Sequence, residues 1–158
     1  MIYFEVDGIG YAVDAAELAG VATGCPSVTY PGLPEGVQGL IQWSGKVFPV
    51  IDAFCGSAPS ETPRPALDLR TCTYLFSVDS FKGQIKELAV AVPGSVRVFF
   101  AESTLPPPAS ASPTVVAMLI DQDGNEAYQL KLSKVAEQAA RLIVQAPANR
   151  RGGRKVAA

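Results

Sequence analysis

Histidine is absent from this 158-residue chain. That single absence removes Ser-His and Cys-His nucleophile pairs, histidine-ligated metals and histidine acid–base work. Cysteine is scarce: Cys25, Cys55 and Cys72 stand far apart and odd in number. They offer no C-x-x-C or other metal-ligand spacing, and three unpaired thiols suit a reducing compartment. Charge is sparse too, at 18% of residues against about 25% in an ordinary soluble domain. Long apolar runs are missing. The longest, residues 115–120, falls far short of the roughly 18 residues that span a bilayer. The opening MIYFEVDG has neither a basic region nor an apolar stretch, so no secretory leader is read there. These absences leave little room for an enzyme and point to a soluble cytoplasmic protein.

What is present is apolar and frequently turned. With 48% hydrophobic residues, the chain must either bury heavily or offer a sticky surface to a partner, and 14 glycines with 13 prolines favour short strands over long helices. The charges are unevenly placed. Arg150, Arg151, Arg154 and Lys155 lie in the last nine residues. Of 13 basic residues these four leave 9, against 15 acidic, a body of −6. A body so acidic is a poor nucleic-acid surface, because phosphate binding needs clustered cations. Residues 148–158 are read as a basic flexible tail.

Periodicity predicts about nine or ten short strands. Residues 2–6 alternate, Asp7-Gly8 is a hairpin signal, and residues 11–13 return as a second strand. Asp14, with Glu17 three residues on, can cap one helical turn that Gly20 interrupts. Residues 25–36 are loop. Two runs, 39–43 and 47–51, flank Ser44-Gly45 at hairpin spacing and read as core strands buried on most positions. Pro49 lacks a ladder donor, which predicts an edge or a bulge in the second run. Residues 57–66 form a Pro/Ser-rich connector, and residues 105–113 a second loop. Strands follow over 73–78, 85–92 and 95–100, and a last hairpin joins 115–120 to 127–132 around Asp123-Gly124. Only the end is helical. Ser133 caps it, Val135, Ala139, Leu142 and Ile143 make one apolar stripe, and Pro147 ends it.

The candidate chemical motifs have plainer readings. Gly8-Ile9-Gly10 resembles the opening of a dinucleotide loop, but no helix follows, so it reads as a turn. Asp121, Asp123 and Asn125 echo a calcium loop, but the glycine stands fourth and the twelfth residue is Leu132, so they read as a hairpin tip. No spacing forces two carboxylates together. Cys55 lacks the cationic neighbour that would activate a thiolate. No catalytic, metal-binding or cofactor-binding residue is assigned. Trp43, the only tryptophan, stands beside a tight turn, where it can serve either core or interface.

One stretch has a family look. GLIQWSGKVFPVIDAF, residues 39–54, resembles the signature of CheW-like domains. There a glycine and an apolar strand lead through an Arg-Gly turn to a second apolar strand with Pro-Val and Asp. YAVDAAELAGV and LPEGVQG before it, and ELAVAVPGSVRV and DQDGNEAYQLKLSKVAEQ after it, fit the same family, with the match strongest over 37–52. The resemblance implies a mainly β chain: two small SH3-like five-stranded β-barrels packed together, with a C-terminal α-helix at about 133–146, all in one domain of residues 1–147. It implies a non-enzymatic adaptor with no cofactor, binding the regulatory domain of a CheA-type histidine kinase and the cytoplasmic tips of chemoreceptors at membrane-associated arrays. The partner surface would comprise Gly20, Val21, Val37, Leu40, Gln42, Trp43, Ser44, Gly45 and Lys46. An interaction module of type IV pilus or polar-localisation machinery, on the same barrels, is the alternative. Two positions depart from the family. Ser44 stands where arginine is usual, and Gly20 where glutamate is usual. Losing both removes an ion pair without stranding a charge, and marks this surface as the place where partner preference has changed.

Overall fold

The computed structural model describes residues 1–29, 31–34, 36–53, 67–78 and 87–141. The expectations for Cys55, the 57–66 connector, the turn at 79–83, Leu142, Ile143, Pro147 and the tail 148–158 lie outside those residues. The chain opens on a hairpin. β1 (Ile2–Val6) pairs antiparallel with β2 (Ile9–Val13), closing at Val6↔Ile9. Asp7 and Gly8 between them both have positive φ, 52° and 78°, as a two-residue turn matched to strand twist requires. Asp14 then accepts the Ala16 N–H at 2.9 Å and caps one 3₁₀ turn, Ala15–Glu17.

A complete second sheet follows before the first is finished. It is built from β3 (Leu18–Thr23), β4 (Ser27–Val28), β5 (Val37–Trp43), β6 (Lys46–Ile51), β7 (Thr73–Ser77) and β8 (Ala89–Val92), in the spatial order β3-β7-β8-β6-β5-β4. β9 (Arg97–Val98), β10 (Ser103–Leu105), β11 (Val115–Ile120) and β12 (Glu126–Leu130) then return to the first sheet, ordered β10-β11-β12-β2-β1-β9. β12 lies parallel to β2, with Tyr128 opposite Tyr11 and Leu130 opposite Val13. The second sheet is therefore an insertion into the first. A helix, α1, occupies 132–141.

The mainly β architecture with two β units and a C-terminal helix is as expected. The strand count is higher because one strand of each unit is broken in two. β3 and β4 are neighbours in sequence but stand at opposite edges of their sheet, and β9 and β10 do the same in theirs. Two readings are corrected. Residues 18–23 are a strand, although Gly20 reads as a turn; β3 pairs with β7 across a register shift beside that glycine. β6 is not an edge strand, and the shift in its ladder with β5 lies between Gly39↔Val50 and Val37↔Ile51, one pair beyond Leu40↔Pro49. Among the described residues β8 meets β6 at the single register pair Val50↔Ala89, beside Pro49 rather than at it, so the missing donor is tolerated.

Among the described residues, three apolar clusters hold the molecule. One lies within the first sheet, around Tyr3, Ala12, Phe99 and Leu119. A second lies within the inserted sheet, around Ile41, Phe48, Tyr74 and Phe76. The third joins everything: Phe4, Val13 and Leu130 from the first sheet meet Ile51, Leu75 and Val90 from the second and Leu132, Val135 and Ala139 from α1. Each such side chain removed from water contributes roughly 1.5–3 kcal/mol. The helix start has a tertiary cap. Glu17 Oε2 accepts the Leu132 N–H at 3.2 Å, satisfying a donor that no turn of the helix can reach.

Burial pushes the Glu17 carboxyl above its ordinary range, against the opposing pull of the Leu132 N–H and Lys131. A raised carboxyl pKa means the folded state holds the proton more tightly, so this group's contribution falls as pH rises from the ordinary glutamate value through the raised one. Glu17→Gln keeps an acceptor and removes the charge. Its stability relative to the parent should therefore rise from below about pH 4 to a plateau at neutrality. Urea unfolding at pH 3.5 and pH 7 checks the sign.

Candidate functional site

The hairpin joining β5 to β6 sets the geometry. Ser44 and Gly45 take φ of 51° and 75°, so Trp43 and Lys46 face each other as the last register pair. Ser44 holds a left-handed conformation that costs most side chains energy and suits asparagine better. Ser44→Asn should raise the unfolding free energy by about 0.5 kcal/mol, the scale of such turn effects, readable as a shift in the urea midpoint.

Trp43 points into the inserted sheet's own cluster and is half-buried. Its ring stacks on Phe76, with centroids 4.2 Å apart and planes 11° from parallel, and leans on Phe48 at 6.0 Å and 55°. Phe76 is the register partner of Gly20 across β3 and β7. A methyl group on Gly20 would lie 2.5 Å from two carbons of the indole. Glycine at 20 is thus what lets the large ring lie across β3. Above this floor is a recess of about 280 Å³, lined by Ala19, Trp43, Ser44, Lys46, Phe48, Ser77 and Glu87. Lys46 Nζ and Glu87 Oε1 pair at 3.0 Å on its rim, with Lys46 still 57% exposed. So open a pair adds little stability but sets a polar border.

The outer face of the same sheet is apolar and open. Leu40 pairs with both Val28 and Pro49, and Gln42 pairs with Val47, so these five side chains share one face by the two-residue period. Val28 is 58% exposed and Val47 63%. Most positions of the 39–43 and 47–51 runs are buried or half-buried, as expected, with Gly39, Ile41, Phe48, Val50 and Ile51 buried; the exceptions are Gln42 and Val47, which stay in solvent.

The described chemistry elsewhere is quiet. Burial raises the pKa of both the Cys25 and Cys72 thiols, which keeps them protonated and poor nucleophiles at neutral pH. Tyr74 is pushed up to about 12, by burial first and by the neighbouring cysteines next, and its hydroxyl donates to the Leu69 carbonyl. At the Asp121 turn the carboxylate accepts the backbone N–H groups of Asp123 and Asn125 at 2.9 and 2.8 Å, and the Asn125 amide at 2.9 Å. The calcium-like residues therefore spend their lead ligand on their own turn. No group of three or more metal-ligating side chains occurs among the described residues, and no helix there is long and apolar enough to cross a membrane.

The sequence matches no protein-family model and no curated protein. The structure does find a match. It superposes on the crystal structure of the scaffolding protein TtCheW from Thermoanaerobacter tengcongensis with a TM-score of 0.61, over 85% of this chain and 89% of that one, at 19% identity. The chain has a CheW-like fold. At that identity the likeness speaks for the architecture, two β units and a helix, and the side chains at the recess are this chain's own.

On this CheW-like fold the sequence-derived partner residues separate into two groups. Gly20, Trp43, Ser44 and Lys46 come together at the recess, with Gly45 in the turn beside it. The two positions that depart from the family pattern, 20 and 44, thus border one tryptophan. Leu40 and Gln42 belong to the outer face. Val21 is 39% exposed and, next to Gly20 on a strand, points away from the indole. Val37 stands at the far end of β5, opposite Ile51, and packs against the core shared by the two sheets. Val28, Val47 and Glu87 were not among the sequence candidates. The alternation of Val47 and Pro49 with Phe48 and Val50 is the signal that could have found Val47. Glu87 pairs with Lys46 from 41 residues away, a distance no local pattern spans.

Proposed function

We propose that this chain is a non-enzymatic scaffold of a bacterial chemosensory or related signalling system, docking the regulatory domain of a CheA-type histidine kinase. The observation that carries the reading is the fold shared with a CheW scaffolding protein over 85% of the chain. The exposed apolar face of β4, β5 and β6 supports it, since such a patch with a polar surround suits a protein partner. The mechanism is geometric: two β units locked by a common core hold partner surfaces in fixed relation, and no covalent step or cofactor enters. The protein acts in the cytoplasm, at receptor arrays.

The recess is the second partner surface in this reading, and it is altered. Where the family pattern places an ion pair, this chain places Trp43 over Gly20 beside Ser44. An aromatic floor with the Lys46–Glu87 pair at its border selects apolar contact over a fixed charge. Receptor tips that suit the usual ion pair should therefore bind this chain at least tenfold more weakly than they bind a standard adaptor, while the kinase regulatory domain still binds. Parallel titrations of both partners test this; equal affinity of the two adaptors for receptor tips would sink the altered-surface reading, and no affinity for the regulatory domain would sink the scaffold reading.

A further inference from the structure

A second surface lies on the first sheet, away from the recess and the outer face of β5. The segment from β9 to β10 carries Val98 at 58% and Phe100 at 79% exposure. Val96, two residues earlier, packs against the core shared by the sheets. An apolar stripe thus begins in the core at Val96 and runs out to solvent through Val98 and Phe100. A phenylalanine this open is unusual when nothing covers it. Among the described residues β9 is also the edge of its sheet, paired with β1, and edge strands present ladder groups to other chains.

Phe100 forms part of the wall of a recess of about 360 Å³, which residues 97–102 and 121–123 line. A phenylalanine side chain fits within that volume. Knob and hole therefore occupy the same patch, which is the condition for self-complementary docking about a two-fold axis. The charges agree with it. Arg97 lies over the Tyr3 ring, 4.4 Å from its centroid, and Glu102 and Asp123 line the same recess. Because Arg97 and these carboxylates share the one patch, a reciprocal contact can pair the guanidinium of one copy with a carboxylate of the other. Asp121 is committed to its own turn.

We propose that this face is a self-association surface, on which two copies of the chain dock reciprocally, each placing Phe100 in the recess of the other. Stable interfaces bury roughly 1,200 Å² or more; anchored by one aromatic side chain per copy, this dimer is weak and reversible, forming across about 10–500 µM. The inference stands apart from the scaffold reading and survives its failure.

Sedimentation velocity on the full chain over that range tests it, with three variants. Phe100→Ser should remain monomeric at every concentration. Gln122→Trp, which places a large side chain in the recess while keeping phenylalanine at position 100, should also abolish association. Ile9→Ser, at an exposed apolar site on the β1–β2 hairpin, should associate as the parent does. A parent that stays monomeric throughout overturns the proposal, and so does association that persists in Phe100→Ser. If Phe100→Ser lowers the thermal midpoint, Gln122→Trp decides alone: persistent association in that variant overturns the proposal, and its loss upholds it.

Discussion

Gly20→Ala should lower the unfolding free energy by about 1–3 kcal/mol, the usual cost of overpacking a well-filled site. In a Trp43→Ala background the same substitution should become stabilising, by about 0.5–1 kcal/mol. The first sign follows from the 2.5 Å approach between a β-carbon at 20 and the indole. Such a contact is cheap only where the neighbour can swing aside, and this ring is held parallel to Phe76 at 4.2 Å and flanked by Phe48. The second sign follows from removing the obstacle. Without the indole, alanine in a strand simply restricts the unfolded chain more than glycine does. Trp43→Ala alone should cost about 2–4 kcal/mol, somewhat under the range for a fully buried tryptophan. The coupling between the two positions, read from urea unfolding followed by far-UV circular dichroism, is then about 1.5–4 kcal/mol, in the upper part of the roughly 0.5–3 kcal/mol known for touching residues and reaching past it. Additive effects would mean that the indole does not rest on Gly20.

Leu75→Ala should cost about 3–4 kcal/mol and should do so without splitting the unfolding transition. Leu75 is fully buried on β7 of the inserted sheet, yet it belongs to the same cluster as Phe4 and Leu130 of the first sheet and Leu132 of α1. A cavity there weakens both sheets and the helix together. The chain supplies its own probe: Trp43 fluorescence reports the inserted sheet, and far-UV circular dichroism reports the whole. In both parent and variant the two signals should lose structure at the same urea concentration, which is the test of a single cooperative unit. Separate midpoints would show that the sheets are stable independently, and the shared core would not then be what fixes their relation.

The parts of this molecule that sequence discloses are those written in local pattern. Asp7-Gly8 and Ser44-Gly45 announce their hairpins because a two-residue turn demands positive φ at both positions, and the structure has it at all four. The Asp14 cap is likewise local. The insertion of one sheet into the other is not, because β12 finds β2 across more than a hundred residues and periodicity is blind to such distances. β3 was hidden by Gly20, whose usual role is to end a strand or helix. Only the ring packed on it, brought from β5, shows that it stands there to make room. Glu17 misled in a similar way. Its spacing from Asp14 suggests a local capping box, but its carboxylate serves a helix 115 residues on. At the candidate site the sequence brought Gly20, Trp43 and Ser44 forward one by one, and the fold makes them a single feature.

The scaffold reading is tested most directly by isothermal titration of a CheA-type regulatory domain into the full chain and into Val47→Glu. Val47 is 63% exposed, so a carboxylate there leaves the fold intact while placing an unpaired charge on the apolar face. The parent should bind, and Val47→Glu should bind at least tenfold more weakly with an unchanged thermal midpoint. A parent that does not bind, or a Val47→Glu variant that binds as the parent does, would contradict the account.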